Sequence, residues 1–236
     1  MKRMQRLVLV FGVLSIALCS SGQVVNDPNA VVREAKHFHA IHLSSAFDVY
    51  LSQGNDEGVA VSASEKKFLD HIKVEVKDGV LYIGMSSEIH FGGKMHLKAY
   101  ISFKQIDQLM VTGACDIFSS GTIKSENLNI RLTGASDMKA ALEVSKLTVK
   151  LEGASDLQLS GKTSRLTIDA SGASEFKGFD LSSEACDASA SGASEIRITV
   201  NGEITAKLTG ASGLKYKGSA VIKDMKSSGS SNITKG

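Results

Sequence analysis

At 236 residues and a formal net charge of +2, the chain is long enough for one elongated domain but carries no charge excess that would name a partner. Lys, Arg, Asp and Glu are mixed along its length, which leaves neither a polyanion track nor an acidic tail and gives nucleic-acid binding no support. Twenty-two glycines, a single proline, no tryptophan and short alternating runs of Val, Ile and Leu point to an all-β chain with frequent tight turns and little helix.

The first element is an export signal. Lys2, Arg3 and Arg6 form a basic start, and Leu7 to Leu18 an apolar run of 12 residues, too short for a membrane span of about 20. Residues 1–22 read as a signal peptide cleaved after Gly22, with Ser20 and Gly22 as the small residues before the cut. A lipoprotein signal at Cys19 is the alternative, weakened by the bulky Leu18 just before it. No membrane span is expected after residue 22. The destination is the cell surface, the outer membrane or the periplasm.

Residues 30–107 read as a β-rich cap continuous with the repeats that begin at residue 108. Phe47-Asp48-Val49-Tyr50-Leu51 and Val59-Ala60-Val61 alternate, while Asp78-Gly79 between Ile72–Val76 and Val80–Ile83 predicts a hairpin with a type I′ turn. All six histidines, His37, His39, His42, His71, His90 and His96, precede residue 108. His37 and His39 alternate and could share a strand face as the start of a zinc site, but nothing nearby completes it. Exposed or half-buried strand histidines are the plainer expectation, and no metal is assigned.

Residues 108–236 are repetitive. Thr112-Gly113-Ala114-Cys115-Asp116-Ile117 recurs as Thr133-Gly134-Ala135-Ser136-Asp137-Met138 and Glu152-Gly153-Ala154-Ser155-Asp156-Leu157. Further copies are centred on Gly172, Gly192 and Gly210, with a degraded one at Gly229. Successive glycines lie 21, 19, 19, 20, 18 and 19 residues apart, a regularity that low-complexity sequence does not keep. Alternating runs such as Leu128-Asn129-Ile130-Arg131-Leu132 precede each copy, and a second short run comes after it. The prediction is a parallel β-solenoid of about seven coils of 18–21 residues, each holding two or three short strands. The glycine supplies a corner conformation that a Cβ disfavours.

Stacking such coils about 4.8 Å apart aligns equivalent residues into columns. Asp116, Asp137, Asp156, Glu175 and Glu195 then form an acidic edge, and adjacent carboxylates repel unless neutralised. Calcium is one neutraliser. Cations two residues further on, Lys139, Lys177, Arg197 and Lys215, are the other, and no cofactor is required. The edge is a weak binding candidate and carries no assigned catalytic residue. A polysaccharide-cleaving enzyme would need a cleft, and coils so uniform in length leave no room for its walls. The serine column Ser136, Ser155, Ser174, Ser194 and Ser212 has no histidine within the repeats to activate it, so hydrogen bonding along the corner is the better account. Cys115 and Cys186 fall about four coil spacings apart, ~19 Å, beyond the ~7 Å between Cα atoms that a disulfide tolerates. Both are expected as unpaired core thiols.

The N-terminal segments Phe47–Gly54 and Asp78–Ile83, together with the Gly-Ala-Ser-Asp copies, resemble the putative auto-transporter adhesin family with the head GIN domain, over residues 38–233. That resemblance implies a right-handed parallel β-helix exported by a Gram-negative bacterium, and it offers no catalytic residues to carry over. The expectation is a non-enzymatic adhesin or binding module that meets a glycan or another cell-envelope component. A structural envelope protein assembling through its coil ends is the alternative.

Overall fold

The computed structural model describes residues 27–86 and 95–236. The proposed signal, Cys19 and His90 lie outside the described residues. In chain order the strands are β1 (Val31–Arg33), β2 (Ala40–Ser45), β3 (Asp48–Gln53) and β4 (Gly58–Ala63), then a one-turn helix α1 (Lys66–Leu69), β5 (Ile72–Lys77), β6 (Val80–Met85), β7 (Leu97–Phe103) and β8 (Gln108–Gly113). The repeats continue as β9 (Asp116–Gly134), β10 (Asp137–Gly153), β11 (Asp156–Ala170), β12 (Glu175–Ala190) and β13 (Glu195–Leu208), ending with β14 (Gly213–Lys217), β15 (Val221–Ser227) and β16 (Asn232–Lys235). Among the described residues no helix is long and apolar enough to cross a membrane.

From β8 onward every pairing is parallel, between strands one coil apart, which makes the repeats the solenoid their period predicts. Each central coil is one long strand from acid to corner, where two or three short strands were expected. The bend opposite the corner turns the chain within the strand, leaving a few residues unpaired where neighbouring coils differ in length. That bend also absorbs the variation in coil length. Register shifts between adjacent central coils fall at Lys139/Ala141, Gln158/Ser160, Gly178/Ser182 and Ser183/Ala185, and one more, at Ile204/Thr205, lies before the last corner. On either side of them Asp137 stays opposite Asp156, and Gly153 opposite Gly134. The corner columns therefore stay in register while the bends vary.

Glycine is required at the corner for two reasons. Gly134, Gly153, Gly172 and Gly192 have φ of 112°, 86°, 81° and 72°, a region that a Cβ disfavours. In addition, the amide of the next residue donates to the corner carbonyl one coil back, as in Ala154 N to Gly134 O at 2.8 Å. A Cβ on Gly153 would run into that same carbonyl. The stack needs the corner bare.

The N-terminal region adds a coil of its own. Ser44-Ser45-Ala46-Phe47-Asp48 forms an eighth corner, with Ser45 opposite Gly113 and Asp48 opposite Asp116. Ser45 adopts φ 77° without being glycine, and its hydroxyl accepts a hydrogen bond from Met85 N at 3.2 Å. On the far side of this coil, β6 and β7 run parallel to β2 and β3. They are covered in turn by antiparallel β5, β4 and β1. The Asp78-Gly79 hairpin forms as predicted, with φ of 51° and 76°. Antiparallel strands thus cap the parallel ladder at this end.

Inward residues fill the solenoid in columns. Ile117, Met138, Leu157, Phe176, Ile196 and Leu214 form one, and Leu128, Leu147, Leu166, Cys186 and Ile204 face them from the strand segments before the corner; all are buried. Phe176 is the largest of its column, and its own coil carries Cys186, Ala188 and Ala190 at inward positions. Large and small offset each other within one coil. Cys115 and Cys186 are free and buried, and burial pushes the Cys186 thiol up to about 12. A thiol reagent is expected to leave both untouched in the native protein and to count both after unfolding in denaturant; rapid native labelling of Cys186 would contradict this core.

Candidate functional site

The acidic edge stands where the repeat period puts it. Asp48, Asp116, Asp137, Asp156, Glu175 and Glu195 are successive partners across the parallel ladder, so the column gains Asp48 from the first coil. Its two ends differ in chemistry. Toward the C-terminal end, Lys177 reaches both Asp156 (2.8 Å) and Glu175 (3.1 Å). Arg197 reaches Glu175 (2.7 Å) and Glu195 (3.1 Å), and Lys215 reaches Glu195 (3.1 Å). Each cation bridges the acid of its own coil, the acid of the preceding coil, or both. Asp48, Asp116 and Asp137 carry no ion pair among the described residues, and neither does Lys139.

The titration behaviour tracks this division. Burial first, then the neighbouring Asp137 and Asp48, hold the Asp116 carboxyl above its usual value of 3.8. Burial would also raise Glu195, but hydrogen bonds and charge from Arg197 and Lys215 outweigh it and leave that carboxyl depressed. A raised acid binds its proton more tightly in the native state, so ionised Asp116 costs stability at neutral pH, and the cost is relieved as pH falls through its folded value. A depressed acid does the reverse: the Glu195 contribution is present above 4.5 and is lost as pH falls through its folded value. Asp116→Asn is accordingly expected to raise stability by about 0.5 kcal/mol at pH 7 and low salt, and Glu195→Gln to lower it by a similar amount. Both differences should shrink in acid; thermal melts at pH 7 and pH 3.5 check the signs.

In place of cations, the N-terminal end of the edge carries aromatic rings. Two residues past the acid position stand Tyr100, Tyr50 and Phe118 in adjacent strands. Tyr100 stacks on Tyr50 with centroids 5.2 Å apart and planes 15° apart, and Tyr50 on Phe118 at 5.9 Å and 26°. The Tyr100 hydroxyl donates to Asp27 Oδ2 at 2.9 Å, which anchors one end of the stack. Phe118, at the other end, is 46% exposed. This ladder was not anticipated, because its register depends on β7 and β9 flanking β3 from distant stretches of chain.

Other candidate groups prove to be structural or scattered. The column hydroxyls are buried and donate to main-chain carbonyls, for example Ser174 Oγ to Ser171 O at 3.1 Å and Ser194 Oγ to Ser191 O at 2.9 Å. They close the corner turn. His37 and His39 do not share a strand face, since the chain bends there and His37 sits at φ 62°. His39 Nδ1 meets Asp107 at 3.0 Å, and His42 packs on Tyr82 with centroids 5.3 Å apart. Among the described residues no three His, Cys, Asp or Glu side chains converge as a metal site.

Comparison with known proteins places this architecture. A crystal structure of a putative adhesin from Bacteroides fragilis superposes with a TM-score of 0.82 at 23% identity, covering 87% of this chain and 95% of that one. A putative lipid binding protein from Parabacteroides distasonis gives 0.70 at 18% identity, over 88% and 97% of the two chains. A putative adhesin from Parabacteroides merdae gives 0.69 at 16%, over 88% and 95%. At these identities the likeness shows the fold. No curated protein matches the chain. The family model described as putative auto-transporter adhesin, head GIN domain, matches residues 37–220, most of the sequence, and the chain belongs to that family.

Proposed function

We propose that this protein is exported and works as a rigid, non-enzymatic binding module at the cell surface, in the outer membrane or in the periplasm, where it engages a glycan or another envelope component. The observation that carries this reading is the uninterrupted outer face. Among the described residues, β9 to β13 present the same positions coil after coil, and their length differences are taken up by short register shifts, so no long loop rises from these coils to wall a cleft. Such a face suits repeated, shallow contacts better than the enclosure that a reacting substrate needs. Membership of an adhesin family supports the same reading.

The test is adhesion of the purified full chain to intact cells and envelope fractions, with polysaccharide hydrolysis measured in parallel. Saturable adhesion without turnover is the expected result. Turnover that disappears in Asp137→Asn or Asp156→Asn would replace the reading with an enzyme. Retention of adhesion in chelator is also expected, because the paired half of the acidic edge is neutralised by its own cations.

A structural role has one observation in its favour. Val221 and Ile222 of β15, in the last coil, are 61% and 52% exposed. If coil ends associate, sedimentation of the wild type should show assembly that Val221→Lys abolishes; a monomer at all concentrations would dismiss that role.

A further inference from the structure

The aromatic ladder marks a specific ligand position, one that rests on the protein being a binding module. On the side of Phe118 away from Tyr50, the next coil supplies Lys139 in place of a ring. There the surface sinks into a shallow depression lined by Phe118, Asp137, Lys139, Asp156, Gln158 and Lys177. Among the described residues no cation lies over the Phe118 ring. One end of the depression is therefore an exposed aromatic surface. The rest offers acceptors from two carboxylates and donors from two ammonium groups and one amide, spread over two coil spacings, ~10 Å.

We infer that this depression binds a neutral pyranose sugar, with one ring face packed on the exposed part of the Phe118 ring, beside the Lys139 side chain that holds the next position of the ladder. A sugar ring presents aliphatic C–H groups on its face and hydroxyls around its rim, the amphipathic counterpart of an aromatic wall beside mixed donors and acceptors. Charge decides between sugar classes. The free carboxylate of Asp137 and its unpaired neighbour Asp116 disfavour anionic sugars, and the ammonium groups of Lys139 and Lys177 disfavour cationic ones. Asp137 and Gln158 are free to reorganise toward hydroxyls, whereas Asp156 is already held by Lys177 at 2.8 Å. No bond is made or broken.

The test is calorimetric titration of the full chain with mannotetraose, cellotetraose and xylotetraose, with sialyllactose as the anionic control, alongside the adhesion assay. Binding of at least one neutral oligosaccharide is expected, weakened about tenfold or more in Phe118→Ala, and retained in Phe118→Trp and in Tyr82→Ala on another strand. Phe118 is half exposed, so the alanine variant should melt with the wild type, and a matched melt certifies the comparison. Equal sugar affinity in Phe118→Ala would overturn the site while leaving the adhesion reading intact. Adhesion to cells with no neutral sugar bound would do the same. Preference for sialyllactose would overturn the charge argument. Failure of both adhesion and sugar binding would remove the parent reading as well.

Discussion

Replacing Gly153 by alanine is expected to destabilise the protein by about 3 kcal/mol or more, a loss far beyond that of an ordinary exposed glycine. Two costs combine. At φ 86° a Cβ is strained, and its position conflicts with the Gly134 carbonyl that must stay in place to accept from Ala154 N. Relief would require parting two coils at the corner, which breaks that hydrogen bond and loosens the ladder on both sides. Ser45 provides the control, since it holds φ 77° with a side chain and its hydroxyl faces Met85 N. Ser45→Ala should therefore cost only about 1 kcal/mol, the value of its hydrogen bond. Urea unfolding of the two variants measures the difference. A loss under about 1 kcal/mol for Gly153→Ala would show that the corner can relax, contrary to the packing described.

The second large effect is expected at Phe176, where truncation to alanine should cost about 5 kcal/mol, the upper end for a buried phenylalanine. The ring is fully buried, and of the other inward side chains in its coil, Leu181, Ser183, Cys186, Ala188 and Ala190, all but Leu181 are too small to collapse into the space. Gly178 belongs to the same arrangement: a Cβ there would collide with the Phe176 ring edge. Gly178→Ala alone should destabilise by overpacking, while Gly178→Ala in a Phe176→Leu background should cost clearly less. A double-mutant cycle with no coupling would mean that the ring moves aside freely and that the glycine serves only the local register shift.

How much of the fold is legible in the residues depends on which of them carry the pattern. Gly113 to Gly210 announce the coils because the corner admits almost no substitution, so the signature survives at even spacing. The coil at Ser44–Asp48 is hidden for a physical reason. No corner glycine lies above it to exclude a side chain, and Phe47 replaces the small residue that later coils require. Ser44, Ala46, Asp48 and Val49 keep the signature, but the corner glycine and the small residue before the acid, which make it recognisable, are gone. The acidic column comes directly from the period, and so does its bridging by Lys177, Arg197 and Lys215. Lys139, expected to play the same part, has no ion pair among the described residues, although Asp137 and Asp116 stand to it as Glu175 and Asp156 stand to Lys177, and the ladder register does not explain the difference. Tyr50, Tyr100 and Phe118 cannot be placed together from spacing at all. Strand β3 is joined to β7 and β9 by pairings that skip the intervening chain, and periodicity reports only neighbours one repeat apart.

That same routing bears on the order of assembly. Each repeat closes onto the one before it across a loop of about 19 residues, whereas β3 must wait for β9, with Asp48 meeting Asp116 some 68 positions later. Loop-closure entropy rises with the logarithm of length, so the longer return costs roughly 1 kcal/mol more before any burial offsets it. The repeats between Gly113 and Gly210, which close over shorter loops, are therefore expected to form first, and the capped end to join a stack already formed. Substitutions in the central coils should slow folding, while those in β4 and β5 should chiefly speed unfolding, which makes the end that guards the ladder also the first to open.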